Sequence, residues 1–129
     1  MKYKILKTTL FIACLYYLIG AVVHYFWLTL FPWFEASLYS PYHDSIIAMA
    51  SLAISGFFFV TFLEPKKYIG NIYVIILSAF INGFLTLWMS HEVDFMSIYG
   101  NDLKISQAYT EGFLLLLLGA TLCILKPKN

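Results

Sequence analysis

Residues 45–67 read SIIAMASLAISGFFFVTFLEPKK and contain the two signals that decide the fold of this chain. The first 19 of them, residues 45–63, carry no charge. As an α-helix they would rise about 28 Å, close to the roughly 30 Å thickness of bilayer hydrocarbon. Pro65 cannot continue that helix, and the two lysines after it are typical of a membrane surface. The stretch therefore predicts a transmembrane helix that ends in a short basic turn.

The rest of the chain has the same character. Of its 129 residues 61% are hydrophobic and 12% are charged, whereas soluble proteins average roughly 25% charged residues. Such a chain cannot cover its apolar surface with polar groups, so we expect its solvent to be lipid. Helices are expected because lipid leaves no partner for an unpaired peptide group, and alternating barrel strands are absent from the sequence. The apolar runs predict four transmembrane helices, at about residues 8–31, 45–63, 68–89 and 105–125.

Short connections between these runs predict one domain, residues 1–129, folded as an all-α, antiparallel up-down four-helix bundle in the membrane. Seven of the eight lysines fall on one side, and only Lys104 falls on the other. The positive-inside rule makes the lysine-rich side cytoplasmic, with both termini inside. We expect the bacterial cytoplasmic membrane. The net charge of +1 gives no reason to expect a nucleic-acid partner.

Small and polar residues indicate where the helices are expected to face protein. Small residues suit close helix approach in lipid. The second run carries such a face, at Ala48, Ser51 and Ser55. The fourth run carries another, at Ala108, Gly112 and Gly119. The third run has a polar stripe with a spacing of four residues, at Ser78, Asn82, Thr86 and Ser90. We expect this stripe to face protein, either for interhelical hydrogen bonding alone or to line a site.

Three polar residues on three different helices share one predicted depth. Counted at about 1.5 Å per residue from the lysine at the predicted cytoplasmic end of each helix, Glu111 and Asn82 each lie about 22 Å up their helices, and His24 about 26 Å. A carboxyl group in hydrocarbon is costly unless it is paired, hydrated or protonated, so Glu111 is the most informative of the three. We expect them to form the floor of a ligand site, with Tyr17 extending it inward. Alternatively, Glu111 is a helix-start acid favoured by the amino-terminal dipole.

Four further polar residues are predicted at the outer membrane surface, as a rim above that floor: His43, Asp44, His91 and Glu92. Imidazole and carboxylate groups bind Zn²⁺, Cu²⁺, Ni²⁺ or Mn²⁺, so the rim is a candidate metal site. Its spacing matches no metal motif, however, and a solvated rim with a helix-start acid accounts for the same residues. Haem fits less well, because two histidines share a depth only at the membrane surface.

These patterns favour a protein that binds a small ligand or cation, coupled to proton movement, in an outward-facing polar pocket. The alternative is an accessory subunit that packs against a larger membrane complex, or a homo-oligomer, because the aromatic content of 19% and the small-residue faces serve helix association equally well. A third reading is an enzyme acting on a lipid head group. No nucleophile motif or phosphate loop supports it, so the sequence favours binding over catalysis.

Overall fold

The structure, a computed structural model, describes residues 1–26, 28–31, 34–35, 41–92, 94 and 103–127. The helices are α1 (Lys2–Phe26), α2 (Pro41–Leu63), α3 (Ile69–Glu92) and α4 (Leu103–Leu125). Two short strands, β1 (Thr29–Phe31) and β2 (Phe34–Glu35), pair antiparallel. All four helices are long and apolar enough to cross a membrane, which confirms the prediction of a helical chain with four membrane-length helices.

Several helix ends differ from the predicted runs, and α1 begins at Lys2, six residues before its predicted start. α1 ends at Phe26 rather than near residue 31, and the chain from Thr29 forms β1 instead. A proline disfavours the helical conformation of the residue before it, so Pro32 accounts for a non-helical Phe31 but not for the end of α1 five residues earlier. α2 begins at Pro41, four residues before the predicted start, since the fixed φ of proline suits the first helical position. These ends set the level at which the polar residues of α1 and α2 meet.

α1 and α2 form one tightly packed antiparallel pair. Cys14 of α1 lies against Ser55 of α2, with the Ser55 hydroxyl donating to the Cys14 carbonyl at 3.0 Å. Ala48 is buried, and the position that a Cβ on Gly20 would occupy is 3.9 Å from the Ser51 hydroxyl oxygen. The small-residue face predicted on the second helix is therefore confirmed as the surface that receives α1.

α3 and α4 form the second tightly packed pair, and their backbones touch at two glycines. A Cβ placed on Gly83 would lie 2.8 Å from Leu116 Cδ2 and 3.1 Å from the carbonyl oxygen of Gly112. One placed on Gly112 would lie 2.7 Å from Leu87 Cγ. Only glycine allows this approach without displacing a neighbour. The sequence indicated Gly112 as part of a small-residue face, but it did not indicate Gly83.

Four lysines lie at one end of the bundle, each over an aromatic ring. The distances from Nζ to the ring centroid are 4.8 Å for Lys7 and Phe62, 5.8 Å for Lys66 and Tyr3, 5.2 Å for Lys67 and Tyr68, and 4.6 Å for Lys126 and Tyr73. Lys7 also donates to the Leu63 carbonyl at the end of α2, at 3.2 Å. A hydrogen bond to Glu64 raises the pKa of the exposed Lys67 ammonium group. We call this the lysine end and the opposite end the polar end.

The two helix pairs share one apolar core near the lysine end, which we call the inner core. Its members are Leu6, Leu10, Ala13, Cys14, Phe58, Ile72, Ile75, Ile76 and Leu122. They come from all four helices, but only from the parts nearest the lysines. Asn71 of α3 donates a 3.1 Å hydrogen bond to the buried Thr61 hydroxyl of α2 in the same half. Over their whole length, α2 and α3 pack against each other much less than each packs within its own pair.

The polar stripe of α3 faces protein along only part of its length. Ser90 is buried and Thr86 is half-buried, but Ser78 and Asn82 are exposed. Within one copy of the chain, the stripe is therefore covered by protein only at Thr86 and Ser90, and the two side chains nearer the middle of the helix face outward. Each step of four residues turns the position by about 40° around an α-helix, so a stripe of this spacing winds away from any one neighbour.

Candidate functional site

The central contact of the polar end is between His24 and Asp44. His24 lies in the last turn of α1 and Asp44 in the first turn of α2. His24 Nδ1 and Asp44 Oδ1 are 3.0 Å apart. Asp44 is 1% exposed, whereas the His24 side chain is 18% exposed. The contact joins a deeply buried carboxyl group to an imidazole that retains limited access to the surface.

The helix ends explain why these two residues meet. Because α1 stops at Phe26 and α2 starts at Pro41, His24 and Asp44 both lie within the terminal turns at one level. The amino-terminal dipole of α2 favours an acid, and the carboxy-terminal dipole of α1 favours a cation. Burial makes a solitary carboxylate costly, so a hydrogen-bonding partner is required. The sequence analysis placed His24 in the floor of the site and Asp44 in the rim above it. The structure brings these two residues into direct contact.

A second polar group surrounds Glu111 of α4. Gln107, one turn earlier on the same helix, donates from Nε2 to Glu111 Oε1 at 3.0 Å. The charge of the Glu111 carboxylate also acts on Tyr16 and Tyr17 of α1. Glu111 itself is half-buried. It therefore lies on the side of α4 that is near α1.

Tyr17 connects this group to the inner core. Its ring stacks on Phe58 of α2, with centroids 5.6 Å apart and an angle of 17° between the ring planes. The ring packs against the inner core, while the charge of Glu111 acts on the same side chain. The Glu111 group accordingly lies next to the apolar core, and the His24 and Asp44 pair lies nearer the polar end by about 10 Å along α1.

The third predicted floor residue, Asn82, takes a different position. Its side chain is exposed, and Nδ2 donates to the Ser78 carbonyl of its own helix at 2.8 Å. Among the described residues, its amide is hydrogen-bonded neither to His24 nor to Glu111. The three residues expected to converge thus lie in three separate hydrogen bonds. An equal predicted depth does not specify which way a side chain turns around its helix, and the Glu111 group lies deeper along α1 than His24 does.

The predicted metal residues are divided between the two helix pairs. His43, next to Asp44 on α2, is exposed, as are His91 and Glu92 at the end of α3. The His43 ring lies edge-on to Tyr42, with centroids 5.8 Å apart. Within the described part of the chain, no three His, Cys, Asp or Glu side chains come together in a geometry that would hold a metal ion. Among the residues that the structure describes, the core shared by the two pairs lies at the lysine end, far from these side chains.

Sequence reasoning missed Gln107 and Tyr16. Gln107 had a recognisable signal, because it lies four residues before Glu111 and therefore faces the same way on a helix. Tyr16 had none, since its contact depends on how α1 and α4 are rotated. Comparison with protein-family models, with characterised proteins and with solved structures finds no match for this chain. Function is therefore inferred from the polar groups themselves.

Proposed function

We propose that this protein binds a small cation at the polar end of the bundle and couples that binding to movement of a proton. One observation carries the proposal: the Asp44 carboxyl group is 1% exposed and lies 3.0 Å from the His24 imidazole, between membrane-length helices. Ionisable groups are costly at such positions and usually mark a ligand or proton pathway. A carboxyl and an imidazole in contact supply both an oxygen ligand for a cation and a neighbouring base for a proton.

Charge supports a cation rather than an anion as the ligand. The sequence predicts six of the seven acids and only one of the eight lysines on the outer side of the membrane. A surface with such an excess of one sign concentrates ions of the opposite sign near it. The Glu111 and Gln107 side chains add oxygen atoms deeper in the bundle. Both polar groups therefore suit a cation held by oxygen ligands and hydrogen bonds.

The position of the inner core supports approach from the polar end only. The core fills the space between all four helices in the half near the lysines. We propose that the lysine end is cytoplasmic, by the positive-inside rule, so that the cation arrives from outside. In a bacterial cytoplasmic membrane both termini would then be inside. Passage to the other side would require the inner core to open, so we propose binding rather than transport.

The experiment is thermal unfolding of the purified protein in lipid nanodiscs, with Na⁺, K⁺, methylammonium, Mg²⁺ and Zn²⁺ added separately. We expect one of these cations to raise the midpoint temperature of the wild type. A ligand at one hundred times its Kd stabilises the folded state by about 2.7 kcal/mol. We expect the Asp44→Asn variant, which keeps the size and hydrogen bonding of the side chain, to unfold near the wild-type midpoint without cation and to lose the shift. Glu111→Gln should reduce it.

The matched control is Asp94→Asn, which removes an exposed acid two residues beyond the end of α3. It should keep the full cation-dependent shift. Proton coupling is measured on the same samples with a pH indicator in weak buffer, where cation binding should release protons from the wild type but not from Asp44→Asn. If no cation shifts the wild type, or if Asp44→Asn responds as the wild type does, the proposal is wrong.

A further inference from the structure

Asn82 presents a polar side chain where the chain itself offers little to bind it. The residue is exposed near the middle of α3, a helix long and apolar enough to cross a membrane. A side-chain amide has two N–H donors and an oxygen acceptor. The structure uses one donor, in the 2.8 Å hydrogen bond to the Ser78 carbonyl. The oxygen and the second donor have no partner among the described residues, and lipid tails would supply none.

The surroundings of Asn82 form a regular surface. Ser78, Asn82, Leu85 and Met89 follow one another at steps of four, three and four residues, and all are exposed, Leu85 by 48% and Met89 by 53%. This is the heptad spacing of helices that pack in a left-handed pair. The tight contact with α4 uses other positions of α3, those of Gly83 and Leu87. We call these four residues the α3 seam.

We propose that the α3 seam binds the same seam of a second copy of this chain, so that the protein is a dimer in the membrane. Two copies inserted in the same direction and related by a twofold axis along the membrane normal bring each Asn82 to the depth of the other. An amide offers both a donor and an acceptor, so two facing copies satisfy each other. A single polar residue in a heptad seam also favours pairing of two helices in one register.

The chemistry favours a second copy over a different membrane protein as the partner. A foreign helix would have to present a matching donor and acceptor at the depth of Asn82, whereas a second copy does so by symmetry. The seam lies on α3, while His24, Asp44 and Glu111 lie on the other three helices. Dimer formation and cation binding therefore concern separate surfaces, and each is testable without the other.

The test measures association of the full chain in liposomes by energy transfer between fluorescently labelled copies, over a range of protein-to-lipid ratios. We expect the wild type to associate with the concentration dependence of a dimer. Asn82→Leu should weaken association roughly three- to thirtyfold, the range reported for interhelical hydrogen bonds in membranes. Asn82→Gln, which keeps the amide, should retain most of it. Phe84→Leu, an exposed position outside the seam, should have no effect.

Disulfide formation locates the surface independently. In a background carrying Cys14→Ala and Cys123→Ala, Leu85→Cys should cross-link between copies and Phe84→Cys should not. A wild type that stays monomeric at every ratio, as expected if lipid or another protein covers the seam, would overturn the proposal. So would association that is unchanged by Asn82→Leu, or cross-links that form at position 84 instead of 85.

Discussion

The two ends of this bundle are held together by different kinds of contact. At the lysine end, apolar side chains of all four helices form the inner core. Toward the polar end, the contacts of the described residues join two helices at a time. His24 and Asp44 join α1 to α2, and Gly83 and Gly112 bring α3 against α4. One half of the molecule is thus packed as a unit, and the other is connected pairwise.

Because of this difference, we expect the inner core to stabilise the fold and the polar end to bind the ligand. In lipid, apolar side chains gain little from leaving their surroundings, so close packing and hydrogen bonds supply most of the stabilisation. A packed core loses contacts when anything enters it. A hydrogen-bonded polar group, by contrast, can exchange a protein partner for a ligand at small cost. The polar end is therefore the half in which a ligand can be accommodated without loss of the fold.

The largest expected effect is that of removing the imidazole from the buried pair. His24→Ala would leave Asp44 buried without its partner, and such a loss destabilises a folded protein by about 3 kcal/mol. The free energy of unfolding is measured by SDS titration in mixed micelles. His91→Ala, which removes an exposed histidine from the same end, should stay within about 0.5 kcal/mol of the wild type. Equal effects of the two variants would mean that the pair does not hold the polar end together.

The next effect tests the inner core directly. Leu122→Ala opens a cavity at a position that is 0% exposed, and we expect a loss of about 2 kcal/mol, since the packing contacts disappear while transfer from lipid contributes little. The control on the same helix is Leu117→Ala, at a position that is 63% exposed. It should change stability by less than about 0.5 kcal/mol. Similar losses in both variants would contradict a core confined to one face of α4.

A smaller effect is expected at the glycine contact of α3 and α4. Gly83→Ala places a Cβ 3.1 Å from a backbone oxygen and 2.8 Å from Leu116, so the helices must separate slightly, at a cost of about 1 to 2 kcal/mol. In contrast, a Cβ at Gly56 of α2 meets nothing within 4 Å. Gly56→Ala should therefore be neutral or stabilise the protein by up to about 1 kcal/mol, through higher helix propensity. The same SDS titration shows whether each substitution lowers or raises the free energy of unfolding. A loss at Gly56, or no loss at Gly83, would contradict this prediction.

The smallest effect is expected for the exposed rim. The double variant His43→Ala, His91→Ala should leave stability within about 0.5 kcal/mol of the wild type. Elemental analysis of the two purified proteins should show no difference in bound metal, because these histidines lie on different helix pairs with no shared core between them. If the wild type instead carried stoichiometric metal and the double variant lost it, His43 and His91 would have to bind one metal ion and so lie close together at the polar end.

Hydropathy was sufficient to predict the four helices. The thickness of the bilayer sets the length of each apolar run, and the lack of hydrogen-bond partners in lipid requires that the run be helical. The small-residue face of α2 could also be predicted, since the spacing of its residues alone places them on one side of a helix. The contact of His24 with Asp44 was not predicted. It depends on α1 ending five residues earlier than its apolar run. The exposure of Asn82 was missed for another reason: the rotation of α3 against α4 is set by the approach of Gly83 to Gly112, which spacing alone does not reveal.

Access to Tyr17 tests the contrast between the two ends most directly, because this residue lies where the inner core meets the Glu111 group. A Tyr17→Cys variant, in a background with Cys14→Ala and Cys123→Ala, is exposed in oriented vesicles to a membrane-impermeant thiol reagent from either side. We predict labelling from the polar end alone, slowed by the bound cation. Labelling from the lysine end, or equal labelling from both sides, would contradict the account.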